Sequence, residues 1–493
     1  MRLVINTQAN LDEIDISAIS LDIKSRDAMV KVLRGLQYIW VNKKLREQIL
    51  NLLASKIKLS NSKMMLGRKG ICLWNIFVMA VVRTSLNMDY DLLHDQVNNH
   101  RSLRQILGHG EIFDNHQYSL QAIKDNMKLL NVELLAEINQ LVVKAGHQAL
   151  NKEGNPLKTR CDSFVCKRNV EYPTDLNLLL DAERKVINVT RELSEKYNIE
   201  GWRQGQYNYK KLKKLMRAAQ ASKKGGTKTE KQKNSKEEKI ISAHEEYITL
   251  ASKYIEKACK TLELIETRSP TDEIKKCLID KYISDAKRQI DQIKRRVIDG
   301  EVIPHDEKIF SIFERDTEFV VKGKAGIPVE LGIKVCVIED QHQFILHHQV
   351  MRKESDNQVA VPMISATKKR YSNLETCSFD KGFHSPENQE RLAKELKVVA
   401  LPRKGKLSKK NQELQSEDRW CKARKGHSGI ESCINGLQVS ALDKCPDKGV
   451  KNFDLYVAAA VVSRNLHRLG SILIKKERQK ERKLKRRTVK LAA

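Results

Sequence analysis

The sequence predicts an α/β protein: a mixed five-stranded sheet with helices, interrupted by a long α-helical insertion after its first strand and preceded by an α-helical N-terminal domain. Three observations predict it. Apolar residues recur at helical spacing over residues 13–150, as in Leu33, Leu36, Ile39 and Trp40, and again in Ile123, Met127, Leu130, Leu134 and Ile138. A lone strand-like run, LKTRCDSFVC (157–166), is followed by a helical, highly charged stretch to about residue 300. Beyond that stretch the order becomes two strands, helix, strand, helix, strand, and then helices to the end.

At about 150 residues per domain, the length of 493 suggests roughly three structural units. The boundaries read as a helical N-terminal domain over 1–150, a first segment of the sheet domain over 151–176, a charged insertion over 177–305, the remainder of the sheet domain over 306–470, and a basic tail over 471–493. Within the first, residues 67–108 place an amphipathic helix after a basic, Gly-containing turn and then two short helical stretches. That arrangement fits a helix-turn-helix docked in a major groove, and an ordinary packed bundle with a solvated basic face fits equally. Residues 210–239 hold twelve Lys or Arg against three Glu, with GG and Ser/Thr punctuation, which predicts a flexible basic linker, either solvated or touching DNA backbone.

Strand character resumes at Glu318–Lys322. Val329–Glu339 and Gln343–Val350 form a hairpin about the polar turn at 340–342. A helix over 356–371, a short buried strand at Leu374–Phe379, a helix at Pro386–Leu396 with Ser385 as N-cap, and a strand at Val398–Leu401 follow. After the basic loop at 402–410 come helices over 425–440 and 453–469, and a tail with ten Lys or Arg against two Glu over 475–490.

Ninety-one Lys plus Arg against 62 Asp plus Glu give a formal charge of +29, in the range of nucleic-acid binders, although an anionic membrane surface would attract the same charge. The ten scattered cysteines lack zinc-ribbon or redox spacing, and reduced thiols fit best. The N-terminus lacks signal-peptide regions and the longest apolar runs are too short to cross a bilayer, which predicts a soluble cytoplasmic protein without a membrane partner.

The strand order is the RNase H-like arrangement, in which acidic residues from separated segments meet at one sheet edge. Three carboxylates qualify: Asp162 in the first strand, Asp380 immediately after the fourth, and Glu431 on the helix after the fifth. Hard divalent cations take oxygen ligands, and a pair of them activates an attacking hydroxyl and stabilises the leaving oxygen of an in-line phosphoryl transfer. Around Glu431, the residues Arg424, His427, Asn435 and Gln438 recur at helical spacing as one polar face beside the apolar stripe Ile430, Ile434, Leu437 and Ala441.

At these residues the chain resembles the DDE transposases of bacterial insertion sequences, most of all the heterogeneous group called ISNCY. The resemblance rests on GRKGICLWNIFVMAVVR and YDLL...NNHRSLRQILG near the N-terminus, CDSFVCKRNVEYPTDLNLLLDA (161–182), EKIFSIFERDTEFVVKGKAGIPVELG (307–332), FDKGFHSPENQERL (379–392), and RKGHSGIESCINGL, LDKCPDKG and VVSRNLHRLG (424–470). It implies an endonuclease and strand transferase that binds the terminal inverted repeats of an insertion sequence, joins them to target DNA, works as a homodimer on paired ends and acts at the bacterial nucleoid. It also implies two Mg2+ ions, replaceable by Mn2+, on Asp162, Asp380 and Glu431. DNA contacts are then expected at Arg68, Lys69, Arg101, Arg104, Lys381, Arg403, Lys404, Lys406, Arg424, His427, Asn435 and Gln438. The related Tyr, Arg, Glu, Lys signature is broken here, since His427 and Gln438 stand in the Arg and Lys positions. A transposase-derived DNA binder that no longer cuts, or another RNase H-like nuclease, are the competing readings.

Among other residues, His347 and His348 alternate across a strand and make poor co-ligands. KGKAG (322–326) lacks the spacing of a phosphate-binding loop. Glu330, Asp316 and Glu318 are the nearest substitutes for a member of the triad. Trp202 or Tyr207 can either stack on an unpaired base or pack inside the insertion.

Overall fold

The computed structural model of the chain describes residues 3–6, 12–57, 70–112, 114–226, 229–321, 329–403, 405 and 409–492. It divides into two compact units, Met1–Asn169 with Val320–Ala493, and Val170–Phe319. The first is a mixed α/β unit built on an open sheet with both parallel and antiparallel pairs.

The sheet has seven strands rather than the expected five. They are β1 (Leu157–Arg168), β2 (Glu318–Val321), β3 (Val329–Asp340), β4 (Ile345–Met351), β5 (Leu374–Phe379), β6 (Val398–Ala400) and β7 (Lys444–Cys445). The path runs β2–β3–β1–β5–β6, with β4 also on β3 and the two-residue β7 on the end of β1. β3 is antiparallel to β1 and to β4, whereas β5 is parallel to β1 and to β6. The β3–β4 hairpin turns where the sequence places it. Asp340 Oδ1 accepts from the backbone N–H groups of His342 and Phe344, the local bond that lets an Asp initiate a tight turn. The Pro386–Glu395 helix starts as expected, with Ser385 Oγ accepting from Asn388 N.

The N-terminal helices fall in the same compact unit as the sheet. The Leu73–Ser85 helix is buried along its whole length, so it is not the amphipathic helix expected, and a helix buried on every side must share a core. Its Arg83 makes two bonds to Asp447, at 2.8 and 2.6 Å. Asn465 on the long Val450–Ala492 helix donates to Asn139 Oδ1 and to the Ile345 carbonyl of β4, joining three elements through one satisfied polar cluster. That helix also runs without a break through the stretch read as a tail. It crosses the Ala28–Val41 helix so closely that a Cβ at Gly35 or Gly470 would strike the facing backbone.

The second unit packs four helices, Asp175–Lys196, Gly205–Ser222, Glu230–Glu263 and Pro270–Val297, around one apolar cluster. The expected flexible linker over 210–239 is mostly helix, because Lys, Gln and Glu are good helix formers and a charged helix face needs only solvent. Trp202 is a core residue here. It is 1% exposed and its Nε1 donates to Thr261 Oγ1 at 2.9 Å, so it is not free to stack on a base, whereas Tyr207 is exposed. Among the described residues, no helix is long and apolar enough to cross a membrane.

Candidate active site

Strand alternation sets the first carboxylate. Leu157, Thr159 and Cys161 of β1 are buried, so Lys158, Arg160 and Asp162 project together from the other face. The parallel register pairs Cys161 with Phe379, which makes Asp162, midway along β1, and Asp380, just past the carboxyl end of β5, the next residues along two neighbouring strands. Backbones of paired strands lie about 4.8 Å apart, close enough for two side chains to share one solvent pocket.

Glu431 lies in the first turn of the Gly429–Leu437 helix and is exposed. Ile430, Cys433 and Leu437 beneath it pack with Phe164, Val335 and Val337 of the sheet. Burial, first of all, pushes the Asp162 carboxyl up to about 6. The Ser163 N–H, 2.8 Å from Asp162 Oδ1, opposes that rise, and the charges of Asp380, Asp356 and Glu431 add to it. The charges of both other sequence-predicted acids, and of a fourth, Asp356, therefore reach Asp162.

Asp356 was missed from the sequence because an acid in the first turn of a helix is ordinary. Ser163 Oγ donates to Asp356 Oδ1 at 2.7 Å, and Lys334 Nζ lies 3.7 Å from the same oxygen. The four carboxylates do not close on a single point. Among the described residues, no group of three or more His, Cys, Asp or Glu is drawn together as a metal site.

Arg424 bridges toward this site, its Nη1 donating to the Phe379 carbonyl at 2.9 Å while Nη2 lies 3.6 Å from Asp380 Oδ1. His427 does not share its exposed face. It is buried, with Nδ1 3.1 Å from Ser378 Oγ, and burial followed by the Arg424 charge pushes its pKa down to about 4. His427 is thus buried in this structure and not on the open polar face expected of it. Asn435 is exposed. Gln438 is half-buried and begins the π-turn Gln438–Leu442, where the helix leaves regular α geometry.

The other expected DNA contacts scatter. Lys381 is exposed beside Asp380, and Arg403 is half-buried. Arg68, Lys69, Lys404 and Lys406, with the KGKAG run, fall outside the described residues. Arg101 pairs with Glu111 at 2.6 Å. Arg104 donates to the carbonyls of His116 and Asp114, so its guanidinium holds a loop. The exposed positions of the neighbouring Tyr90–Asn99 helix include Asp91 and Asp95, an unfavourable surface for a DNA groove. His347 and His348 are both held well below the usual histidine pKa by burial, at about 4 and about 3.

A cavity of about 700 Å³ lies apart from these acids, among the N-terminal helices. On its wall His109 bridges Asp114 and the Tyr118 hydroxyl, and Asn75 donates to that hydroxyl and to the Leu107 carbonyl, a satisfied chain that reads as structural. Comparison with protein-family models, curated proteins and solved structures finds no match to this chain.

Proposed function

We propose that the chain is a DDE-type DNA transposase with an RNase H-like sheet, and that Asp162, Asp380 and Glu431 hold its divalent ions. The observation that carries this reading is the parallel β1–β5 register, which sets Asp162 and Asp380 side by side with Glu431 in the same electrostatic field. The strand path β4–β3–β1–β5–β6, with β3 alone reversed, supports the RNase H-like assignment. The donor set fits Mg2+ because every candidate ligand is a carboxylate oxygen, and a cation would offset the burial and the neighbouring negative charges that raise Asp162.

Bound there, two Mg2+ ions would supply Lewis-acid activation of the attacking oxygen and stabilisation of the leaving one. The protein's own part is positioning. Arg424 holds the end of β5 and stands beside Asp380, and Ser163 ties the backbone next to Asp162 to Asp356. The net charge of +29 suits double-stranded DNA, with two protomers on paired terminal repeats. Purified protein, Mg2+ and linear DNA bearing the repeats that flank the reading frame test the proposal. Nicking and joining that vanish in Asp162→Asn support it, and no cleavage, or cleavage unchanged in that variant, overturns it.

A transposase-derived DNA binder that no longer cuts is the second reading, and the open spacing of the carboxylates favours it. Mg2+-dependent thermal stabilisation that is lost in Asp162→Asn would speak for the cutting enzyme.

A further inference from the structure

Lys158 and Arg160 share the face of β1 that carries Asp162, and Thr376 and Ser378 share the face of β5 that leads to Asp380. Along these residues, under the Asp418–His427 helix, runs a cavity of about 570 Å³. Five lining side chains are cationic, Lys158, Arg160, Lys397, Arg419 and Lys422, against one acid, Glu375. Four residues of strand separate Lys158 from Asp162, about 13 Å at the usual rise.

The cations differ in availability. Arg160 is fixed as a wall, its Nε 2.5 Å from Glu339 Oε2 and its Nη1 donating to the Gly426 carbonyl at 2.9 Å. Lys397 pairs with Glu375 at 2.6 Å and Lys422 with Asp418 at 2.5 Å, and three of these four side chains are largely exposed. Exposed pairs are weak and yield readily to a phosphate. Lys158 and Arg419 are exposed, and among the described residues neither forms an ion pair.

We propose that this cavity seats the phosphodiester backbone of one DNA strand on its way to the Asp162–Asp380 end of the sheet. The inference rests on the nuclease reading for the direction of the strand but not for the binding itself. A cavity of this size is too small for a duplex, whose major groove alone is about 12 Å wide, and suits a segment of one strand. Its cations would contact phosphates, so binding there is independent of sequence.

The test is the salt dependence of binding to a fluorescent DNA duplex without divalent metal, for the full-length protein, Lys158→Ala/Arg419→Ala and the charge-keeping Lys158→Arg/Arg419→Lys. Lys43→Ala/Lys44→Ala, remote in sequence and equally exposed, removes the same charge. The alanine pair in the cavity should lower the slope of log affinity against log salt by about 1.8, while the charge-keeping pair and the Lys43/Lys44 pair leave it near wild type. An unchanged slope, or equal loss in the Lys43/Lys44 pair, overturns the site. Mg2+-dependent nicking is scored separately: its absence with the slope change present refutes the nuclease reading and leaves the cavity standing, and the reverse refutes the cavity alone.

Discussion

Ser163 Oγ donates a 2.7 Å hydrogen bond to Asp356 Oδ1, tying the residue after Asp162 to the first turn of the Asp356–Arg370 helix. Removing it in Ser163→Ala leaves a half-buried carboxylate oxygen that keeps Lys334 at 3.7 Å, and stability should fall by about 1 kcal/mol in urea denaturation. If the bond positions Asp162, the turnover rate for DNA nicking falls while the KM for DNA holds. Asp356→Asn, which keeps an acceptor for Ser163, should lose less activity than Asp356→Ala.

Asp162 also predicts a pH dependence. Its carboxyl is raised to about 6, so the folded state disfavours the charged form. The sign follows: the stability linked to a neutral Asp162 is present in full below the ordinary aspartate pKa of about 4 and is lost as pH rises through about 6. Without divalent metal, Asp162→Asn should therefore melt higher than wild type at about pH 8, by up to about 3 kcal/mol, and match it near pH 4. Equal melting at both values would contradict the raised Asp162 pKa.

Glu183 presents the same physics without a site. It is fully buried in the helical unit, neither carboxylate oxygen has a hydrogen-bond partner among the described residues, and burial pushes its pKa well above the ordinary glutamate value. Glu183→Leu should stabilise that unit by about 1–3 kcal/mol at neutral pH. The gain shrinks toward acid, where the wild-type carboxyl is neutral in both states, and thermal melting across pH measures it.

Gly429 tests how the Glu431 helix is seated. A Cβ there would collide with the Arg160 guanidinium, so Gly429→Ala must displace Arg160 from Glu339 or from the Gly426 carbonyl. Breaking one side of that partly buried pair should cost about 1–3 kcal/mol and lower nicking, whereas Gly426→Ala, where the added methyl meets open space, should do neither.

The sheet was legible because its cues are local: alternation in β1, the Asp340 turn, and the Ser385–Pro386 helix start all act within a few residues. The strand positions of Asp162 and Asp380 were legible for the same reason, one within a strand and the other just past the end of one. Asp356 was not, because only the folded hairpin and helix bring it to Ser163 across the chain. Nor was the end of the N-terminal domain, since the all-round burial of the Leu73–Ser85 helix depends on partners such as Asp447 and Ser463 far along the sequence. The basic stretch at 210–239 misled because charge and glycine suggest a loop, while Lys, Gln and Glu favour helix wherever one face can be buried.

On the proposed function, Asp162, Asp380 and Glu431 act as one metal-binding set on DNA. The most direct measurement is Mg2+-dependent cleavage and joining of DNA carrying the flanking terminal repeats, comparing wild type with Asp162→Asn, Asp380→Asn and Glu431→Gln. The account predicts activity in wild type with Mg2+ or Mn2+, none in chelator, and a loss of at least about a hundredfold in each variant with DNA affinity retained. Cleavage that survives any one of the three substitutions, or that proceeds in chelator, would contradict it.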